Sequence, residues 1–511
     1  MPEGLWSAIT PAYLSGIILS FLLELLLQPR PTACWRRPPI TLLLHLGLLT
    51  LLFAAELLLF RRPWFAMANV LALQLFLVLV NNAKYQTLRE PFISQDFEYF
   101  SDALKHPRLY LPFFGLARAL LAITGILGAI IAGLLLEAPL HGGTVAIALG
   151  GLFVLGSGSL WLGDRWAPAI ACQPLADLHG LGQLACLWMY DRTERRQRPA
   201  TLPANRLFLA ATAEQQDADL PDLVVVQSES FFDPRRCFSD IRPEILQQYD
   251  CLKRSATAHG RLQVPAWGAN TVRTEYAFLS GLAPQALGIH RFNPYRWFAR
   301  QRVPTLASFL RRRGYRTVCI HPYPADFYSR DAVYPGMGFD EFIDLRGFSG
   351  IVPSGPYIGD VALADKVREL LEEQPQRADR RPLFLFVITM ENHGPLHLET
   401  IQAGEVELLH TAPPAAGCQD LTIYLRHLAN ADRMLGLIRA TLEQSKRASW
   451  LCFFGDHLPI MPQVYDTLGE PEGDSDYLLW SNRDGNGLTA EAGEMLVEEL
   501  AGLLIQQASL S

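Results

Sequence analysis

Carboxylates and imidazoles in this sequence collect directly after short apolar runs. Gln227, Ser228 and Glu229 follow "LVVV", His321 follows "TVCI", Glu391, Asn392 and His393 follow "LFLFVITM", and Asp456 and His457 follow "WLCFFG". Oxygen and imidazole donors suit zinc, manganese or magnesium, and the lack of cysteine in the set argues against a structural zinc site. Glu229, Asp456 and His457 are therefore the expected ligands of one divalent cation. A lone Asp-His pair is more often a cap or a hydrogen-bonded pair. Several such residues at the ends of separate strands favour the cation site.

A second chemical feature is "TVRTEYAFLSGL", residues 271–282, which comes directly after "PAWGAN". A threonine hydroxyl at a helix N-terminus meets the positive end of the macrodipole, and a neighbouring cation further lowers the cost of its alkoxide. Thr271 is thus a candidate nucleophile. On spacing alone it is equally an N-cap, because Thr271 or Asn270 would satisfy free backbone N–H groups there.

The elements that must position these residues are legible as alternation. "LVVVQ", "TVCIH", "LFLFVI" and "WLCFF" read as short strands, and helical stretches at 304–313, 359–373 and 420–444 separate them. This predicts an α/β domain with a mostly parallel sheet covered by helices. In such sheets ligands bind beyond the carboxyl ends of the strands, where the candidates fall.

The 511-residue chain exceeds one ordinary core, and composition divides it. Apolar runs at 8–27, 40–60, 64–82, 112–135 and 144–162 are each near the length of a bilayer-spanning helix. Residues 1–162 are expected to form a transmembrane domain of about five helices, 163–220 a juxtamembrane linker, and 221–505 a catalytic domain. Charge does not settle orientation. A cytoplasmic N-terminus would place Arg30, Arg36 and Arg37 outside and Arg61 and Arg62 inside, against the positive-inside tendency. A formal net charge of −7 argues against a nucleic-acid partner. Leu175, Leu178, Leu181 and Leu184 recur at helical spacing before "RTERRQR", 192–198, consistent with an interfacial helix that meets anionic lipid or with a solvated linker. The eight cysteines show no metal-ligand spacing. Cys319 and Cys452 read as small core residues, and Cys237 with Cys251 as a disulfide pair if the domain is exported.

Together these features resemble the lipoteichoic acid synthase and phosphoglycerol transferase family, the membrane branch of the alkaline phosphatase and sulfatase superfamily. The resemblance is carried by "QSESFFD", "GANTVRTEYAFLSG", "FYSRDAVYPGMGFDEF", "MENHGP", "FGDH" and "LREPFISQDFEYFSDALKHPRLYLPFFG". It implies a multi-pass helical membrane domain followed by a sulfatase-like α/β domain. It further implies that Glu229, Thr271, Asp456 and His457 surround one cation, usually manganese or magnesium, with zinc also allowed by the donor chemistry. By the same resemblance His321, Arg330 and His393 hold the phosphate and glycerol of the donor, and Tyr328 stands where the best-known lipoteichoic acid enzyme type has tryptophan.

The implied reaction has two steps. Thr271 attacks the phosphodiester of phosphatidylglycerol, diacylglycerol leaves, and a glycan or polyol acceptor takes glycerol phosphate from the threonine. The lipid bilayer is then the site of the donor, and the catalytic domain is expected on the periplasmic or extracellular side of the bacterial cytoplasmic membrane. A phosphoethanolamine transferase shares the threonine and the metal chemistry, and the lipid consumed tells the two apart. Sulfate-ester hydrolysis is disfavoured, since "CQPLA" at 172–176 lacks the arginine of a C/S-x-P-x-R maturation motif. A nonenzymatic receptor or scaffold on a degenerate enzyme fold is the remaining alternative, and the absence of diacylglycerol release would favour it.

Overall fold

The computed structural model describes residues 3–100, 105, 116–141, 144–197, 203–209, 220–376, 381–483 and 491–510. The chain forms two compact units, Met1–Arg198 and Pro199–Ser511.

In the first unit, four helices among the described residues are long and apolar enough to cross a membrane: Ser7–Leu26, Pro39–Phe60, Pro63–Leu88 and Val145–Trp166. The remaining run expected to span, 112–135, is occupied from 116 by the helix Leu116–Leu136, and residues 112–115 lie outside the described residues. Two of these helices open on proline at the first turn, where the missing N–H costs nothing. Several buried polar side chains within the unit pair with one another, as a lipid environment favours. Arg37 pairs with Glu24 at 2.7 Å, and Ser20 bonds His45 at 2.8 Å and Gln74 at 2.6 Å.

The leucine periodicity at 175–184 falls on two helices rather than one. The chain breaks at Gly182, with φ 79°, into the helices Pro174–Leu181 and Gln183–Arg196. A side chain at Gly182 would collide with the Arg37 guanidinium. Leu178 and Leu184 are buried within the first unit. Of the basic cluster, Arg192 and Arg196 both pair with Asp164, at 2.9 and 2.5 Å. The polar stretch at 211–219 and most of 101–115 lie outside the described residues.

Among the described residues the second unit is built on a nine-stranded sheet. Its strands are β1 (Asp222–Ser228), β2 (Ala258–Gln263), β3 (Arg316–Ile320), β4 (Glu341–Ile343), β5 (Leu383–Ile388), β6 (Ser449–Gly455), β7 (Ser475–Ser481), β8 (Glu491–Ala492) and β9 (Met495–Leu496). The order is β4-β3-β5-β1-β6-β7-β2-β8, with β9 also on β2. β4, β3, β5, β1 and β6 run parallel, and β7 runs against both β6 and β2. The four strands expected from the sequence are thus the contiguous parallel centre of the sheet. β2, β4 and β7 to β9 extend it beyond that expectation.

Side chains alternate between two cores, as the period of two requires. Val224, Val226, Leu385, Val387, Leu451 and Phe453 face one core, shared with the helices Asp360–Glu373 and Gln419–Gln444. Leu223, Val225, Phe384, Phe386, Cys452 and Phe454 face the other, shared with the helices Thr271–Ser280, Leu306–Arg312 and Val497–Gln507. Cys319 and Cys452 are buried core thiols. Cys237 and Cys251 are both free, the expected disulfide is not formed, and Cys251 Sγ accepts a bond from Arg439 at 2.9 Å.

Gly455 ends β6 one residue before Asp456, and a Cβ there would lie 1.9 Å from the Phe231 carbonyl oxygen. Backbone must move to admit it. Gly455→Ala is expected to destabilise the second unit by about 1–3 kcal/mol, read as a lowered thermal midpoint of the full chain in detergent. An unchanged midpoint would show that the edge carrying Asp456 yields freely.

Candidate functional site

The site lies beyond the carboxyl edge of the parallel strands. Register places Ser228 of β1 opposite Gly455 of β6, so the next residue on each strand, Glu229 and Asp456, emerges beside the other. Glu229 is fixed by its N–H on Thr389 Oγ1 at 2.9 Å, and its carboxylate accepts Ser230 Oγ at 3.0 Å. Asp456 Oδ1 accepts the Ser230 N–H at 2.9 Å. His457 Nδ1 lies 3.0 Å from the Leu458 carbonyl, which makes Nδ1 the protonated nitrogen and leaves the lone pair on Nε2. That Nε2 faces Glu229 Oε1 and Asp456 Oδ2, each at 3.5 Å.

Among the described residues, Glu229, Asp456 and His457 offer ligand atoms within 4.8 Å of one another, all buried. Asp456 Oδ2 and His457 Nε2 have no hydrogen-bond partner. Buried polar atoms are ordinarily paired, so this pattern fits a divalent cation as the missing partner. Burial and the neighbouring Glu229 push the Asp456 carboxyl up to about 7, and burial raises Glu229 as well. Burial opposes charge on His457, yet Asp456 and Glu229 hold it above its usual range. For both carboxyls the first cause is removal from solvent.

Thr271 is the first residue of the helix Thr271–Ser280, whose ten residues are all buried. The cap position belongs to Asn270, held at φ 69°. The Thr271 side chain instead stands close enough to the Asp456 carboxylate to offset part of the upward shift of that group. One turn on, Thr274 Oγ1 donates to the Asp456 carbonyl at 2.7 Å and pins the helix to the end of β6. Gly268, at φ 69°, and Asn270 make the left-handed reversal that turns the helix N-terminus onto the sheet edge.

His321 and His393 repeat the tautomer logic. His321 Nδ1 donates to the Ile388 carbonyl at 3.2 Å, leaving a buried, unpartnered Nε2. Burial, with Arg330 nearby, lowers its pKa well below the ordinary range. His393 Nδ1 donates to the Gly394 carbonyl at 2.8 Å, and burial lowers that imidazole to about 4, so it is neutral at neutral pH with a free Nε2 lone pair. Arg330 is fully buried and binds Glu275 through Nη2 at 2.7 Å, while Nη1 has no partner. Its guanidinium lies 5.3 Å from the Tyr328 ring centre. Tyr328 is half-buried and, with Ser329, adopts a left-handed conformation that costs energy outside glycine. Electrostatic coupling of Arg330 to Glu229, and of His393 to Asp456 and His457, ties these side chains to the carboxylate cluster.

Sequence reasoning missed the groups that hold these residues. Glu275 lies four residues after Thr271 on the same helix and accepts from Arg330, Tyr295 and Tyr334. A carboxylate on an otherwise apolar helix face was the available signal. Glu391, singled out only as a strand-end residue, accepts Ser354 Oγ at 2.7 Å, Asn430 Nδ2 at 2.6 Å and the Asp360 N–H at 2.6 Å. Burial and Glu391 raise the Asp360 carboxyl well above its usual range. Tyr357 reaches His393 from a loop and left no trace in periodicity.

This geometry makes two expectations testable. Removing one partner of a buried ion pair strands the other, so Glu275→Ala is expected to destabilise the chain by about 3–5 kcal/mol, with Arg330→Met in the same background recovering part of the loss. Recovery in the double variant but not in Glu275→Ala alone, read by thermal unfolding, identifies the stranded charge. Cation binding must also displace the protons held by Asp456 and Glu229. Affinity for manganese should therefore weaken as pH falls below about 7 and strengthen above it, with net proton release when calorimetry is run in buffers of different ionisation enthalpy. A flat pH profile would place the cation elsewhere.

Comparison with known proteins places the chain. A capsular polysaccharide biosynthesis protein, RkpI, of Rhizobium meliloti is 33% identical over 262 residues, 51% of this chain and 45% of that one. A putative cyclic beta-1,2-glucan modification protein of the same organism is 28% identical over 282 residues, 52% of this chain and 42% of the other. The match therefore spans less than half the length of either relative. Among solved structures, the Streptococcus pyogenes phosphoglycerol transferase GacH, in complex with sn-glycerol-1-phosphate, is 21% identical, covers 62% of this chain and 79% of its own, and superposes with a TM-score of 0.47. The sulfatase family pattern matches residues 221–495, more than half of the sequence and the whole of the site from Glu229 to His457, and the chain belongs to the sulfatase family.

Proposed function

We propose that the chain is a metal-dependent phosphoglycerol transferase that moves glycerol phosphate from phosphatidylglycerol to an envelope glycan through a phosphothreonine. The observation that carries this reading is the placing of Thr271 beside Asp456, at the N-terminus of a buried helix and next to a cluster with two orphaned ligand atoms. Glu229, Asp456 and His457 would hold the cation, with Thr271 beside them. Manganese or magnesium there polarises phosphoryl oxygens and lowers the cost of the threonine alkoxide.

The chain's own residues supply the rest. Arg330 Nη1 and His321 Nε2 are buried donors or acceptors without protein partners, suited to the non-bridging oxygens of a phosphodiester. Glu275 holds the Arg330 guanidinium in place through Nη2. In each step His393 Nε2, neutral and with its lone pair free, takes the proton of the attacking hydroxyl and returns it to the departing oxygen, that of diacylglycerol in the first step and that of Thr271 in the second. Four apolar helices suit an enzyme whose donor is a bilayer lipid. The domain would work on the outer side of the cytoplasmic membrane, against the distribution of arginines between the loops. The names of the two Rhizobium relatives, a glucan-modifying and a capsule-forming protein, support a glycan acceptor.

Thr271→Ala tests the reading. Loss of a helix cap costs only about 1 kcal/mol, whereas loss of a nucleophile removes several orders of magnitude in rate. The variant is expected to stay folded, bind manganese, release no diacylglycerol and carry no adduct by peptide mass spectrometry. The mass of the wild-type adduct on Thr271 separates glycerol phosphate from ethanolamine phosphate. Turnover above about a tenth of wild type, a barrier change of about 1.4 kcal/mol, would reject Thr271 as nucleophile.

A further inference from the structure

The acceptor must reach the same phosphorus that Thr271 holds, and its proton must pass to His393. A side chain that adjoins His393 therefore lies beside the acceptor. Tyr357 is that neighbour. Its hydroxyl donates to the Gly394 carbonyl at 3.4 Å and lies 3.5 Å from His393 Nδ1, and its ring stands 5.6 Å from the imidazole at 69°. Tyr323 continues the surface, 6.3 Å from Tyr357 and 6.2 Å from His321. Two half-buried tyrosines thus bridge the two histidines.

The Tyr357 ring is held in place. Ser354 N–H donates to the Tyr357 carbonyl at 2.8 Å across a turn through Gly355 (φ 73°), and Ser354 Oγ anchors the turn to Glu391. A side chain on Gly355 would meet Glu399 Oε2 at 3.0 Å, so that carboxylate borders the same turn. Glu399 Oε2 in turn accepts Arg426 Nη2 at 2.6 Å. Aromatic rings beside a planar carboxylate and guanidinium match the two chemical faces of a sugar, an apolar C–H face and a ring of hydroxyls. A polyglycerol phosphate chain has no flat apolar face to stack.

We infer that Tyr357 and Tyr323 form a shelf for a pyranose ring of the acceptor, with the Glu399 carboxylate at its border; this rests on the transferase reading of the site. In the second step a hydroxyl of that ring attacks phosphorus as the bond from phosphorus to Thr271 Oγ breaks. The proton of the attacking hydroxyl moves to His393 Nε2, and Thr271 Oγ leaves as the alkoxide that this proton then restores.

The test uses the full chain in lipid nanodiscs with phosphatidylglycerol, manganese and a neutral gluco-oligosaccharide. The reading is the partition of product between glycosylated and free glycerol phosphate, which does not depend on how fast the first step runs. Tyr357→Ala and Tyr323→Ala are each expected to shift that partition toward water by about tenfold, and Tyr357→Phe, which keeps the ring, is expected to retain it. In parallel, saturation-transfer NMR should show contact between the oligosaccharide and the wild type without donor, lost in both alanine variants. An unchanged partition in the alanine variants, or equal partition with a polyglycerol phosphate acceptor, overturns the shelf. Oligosaccharide contact that persists in both variants does so as well. If the wild type releases no diacylglycerol yet shows contact that the variants lose, the transferase reading fails and the sugar site stands.

Discussion

Two carboxylates and an imidazole share one buried space at the edge of the sheet, and the arrangement around them answers that electrostatic problem. Glu229 and Asp456 lie against His457 with no solvent to screen them. Burial raises both carboxyls, the Glu229 charge adds to the shift of Asp456, and a single imidazole cannot balance two carboxylates. Protons or a cation must complete the charge. The Ser230 N–H and hydroxyl and the Thr389 hydroxyl engage these carboxylates or their backbone, and Thr271 stands beside Asp456. The parallel pairing of β1 with β6 is what makes the problem arise, because it delivers Glu229 and Asp456 to the same point. A slip of one residue would send one of them to the opposite face.

The helix Thr271–Ser280 is the second constraint, since one rigid element carries two functions. Its first residue stands beside Asp456, and its fifth holds Arg330. A separation of four residues puts both on one side of the helix, about one turn apart. Movement of the helix would therefore displace the threonine and the arginine together. Thr274 ties the intervening turn to the Asp456 carbonyl. Fully buried, the helix has no freedom to adjust alone, which suits a site whose donors must be fixed before the reaction begins.

Glu391 organises the opposite wall. Three donors from three elements converge on its carboxylate: the loop at Ser354, the first turn of the helix Asp360–Glu373, and Asn430 in the helix Gln419–Gln444. Through Ser354 it sets the turn that presents Tyr357 to His393. A carboxylate that does not touch the cation cluster thus determines where an aromatic ring stands beside it.

The amino-acid sequence by itself determined the central strands and the residues at their ends. Apolar β-rich runs such as "LVVVQ" and "WLCFF" are long enough to be buried on both faces, and in a parallel sheet the shared chain direction brings the residues after each run to one edge. That local rule placed Glu229, His321, His393, Asp456 and His457 correctly relative to the strands. The apolar runs likewise announced the helices of the first unit. Tertiary structure decided the rest, because those features depend on contacts between residues far apart in the chain. The strands β2, β4 and β9 are short and partly exposed, and β8 has two residues, with no apolar run to mark any of them. Whether Thr271 caps its helix or faces Asp456 depended on the left-handed turn at Asn270 and on the distant end of β6. The break at Gly182 depended on Arg37, and the pairing of Arg330 with Glu275 on the folding of two helices against one sheet face. Periodicity reports which face of an element is buried; only packing decides what it is buried against.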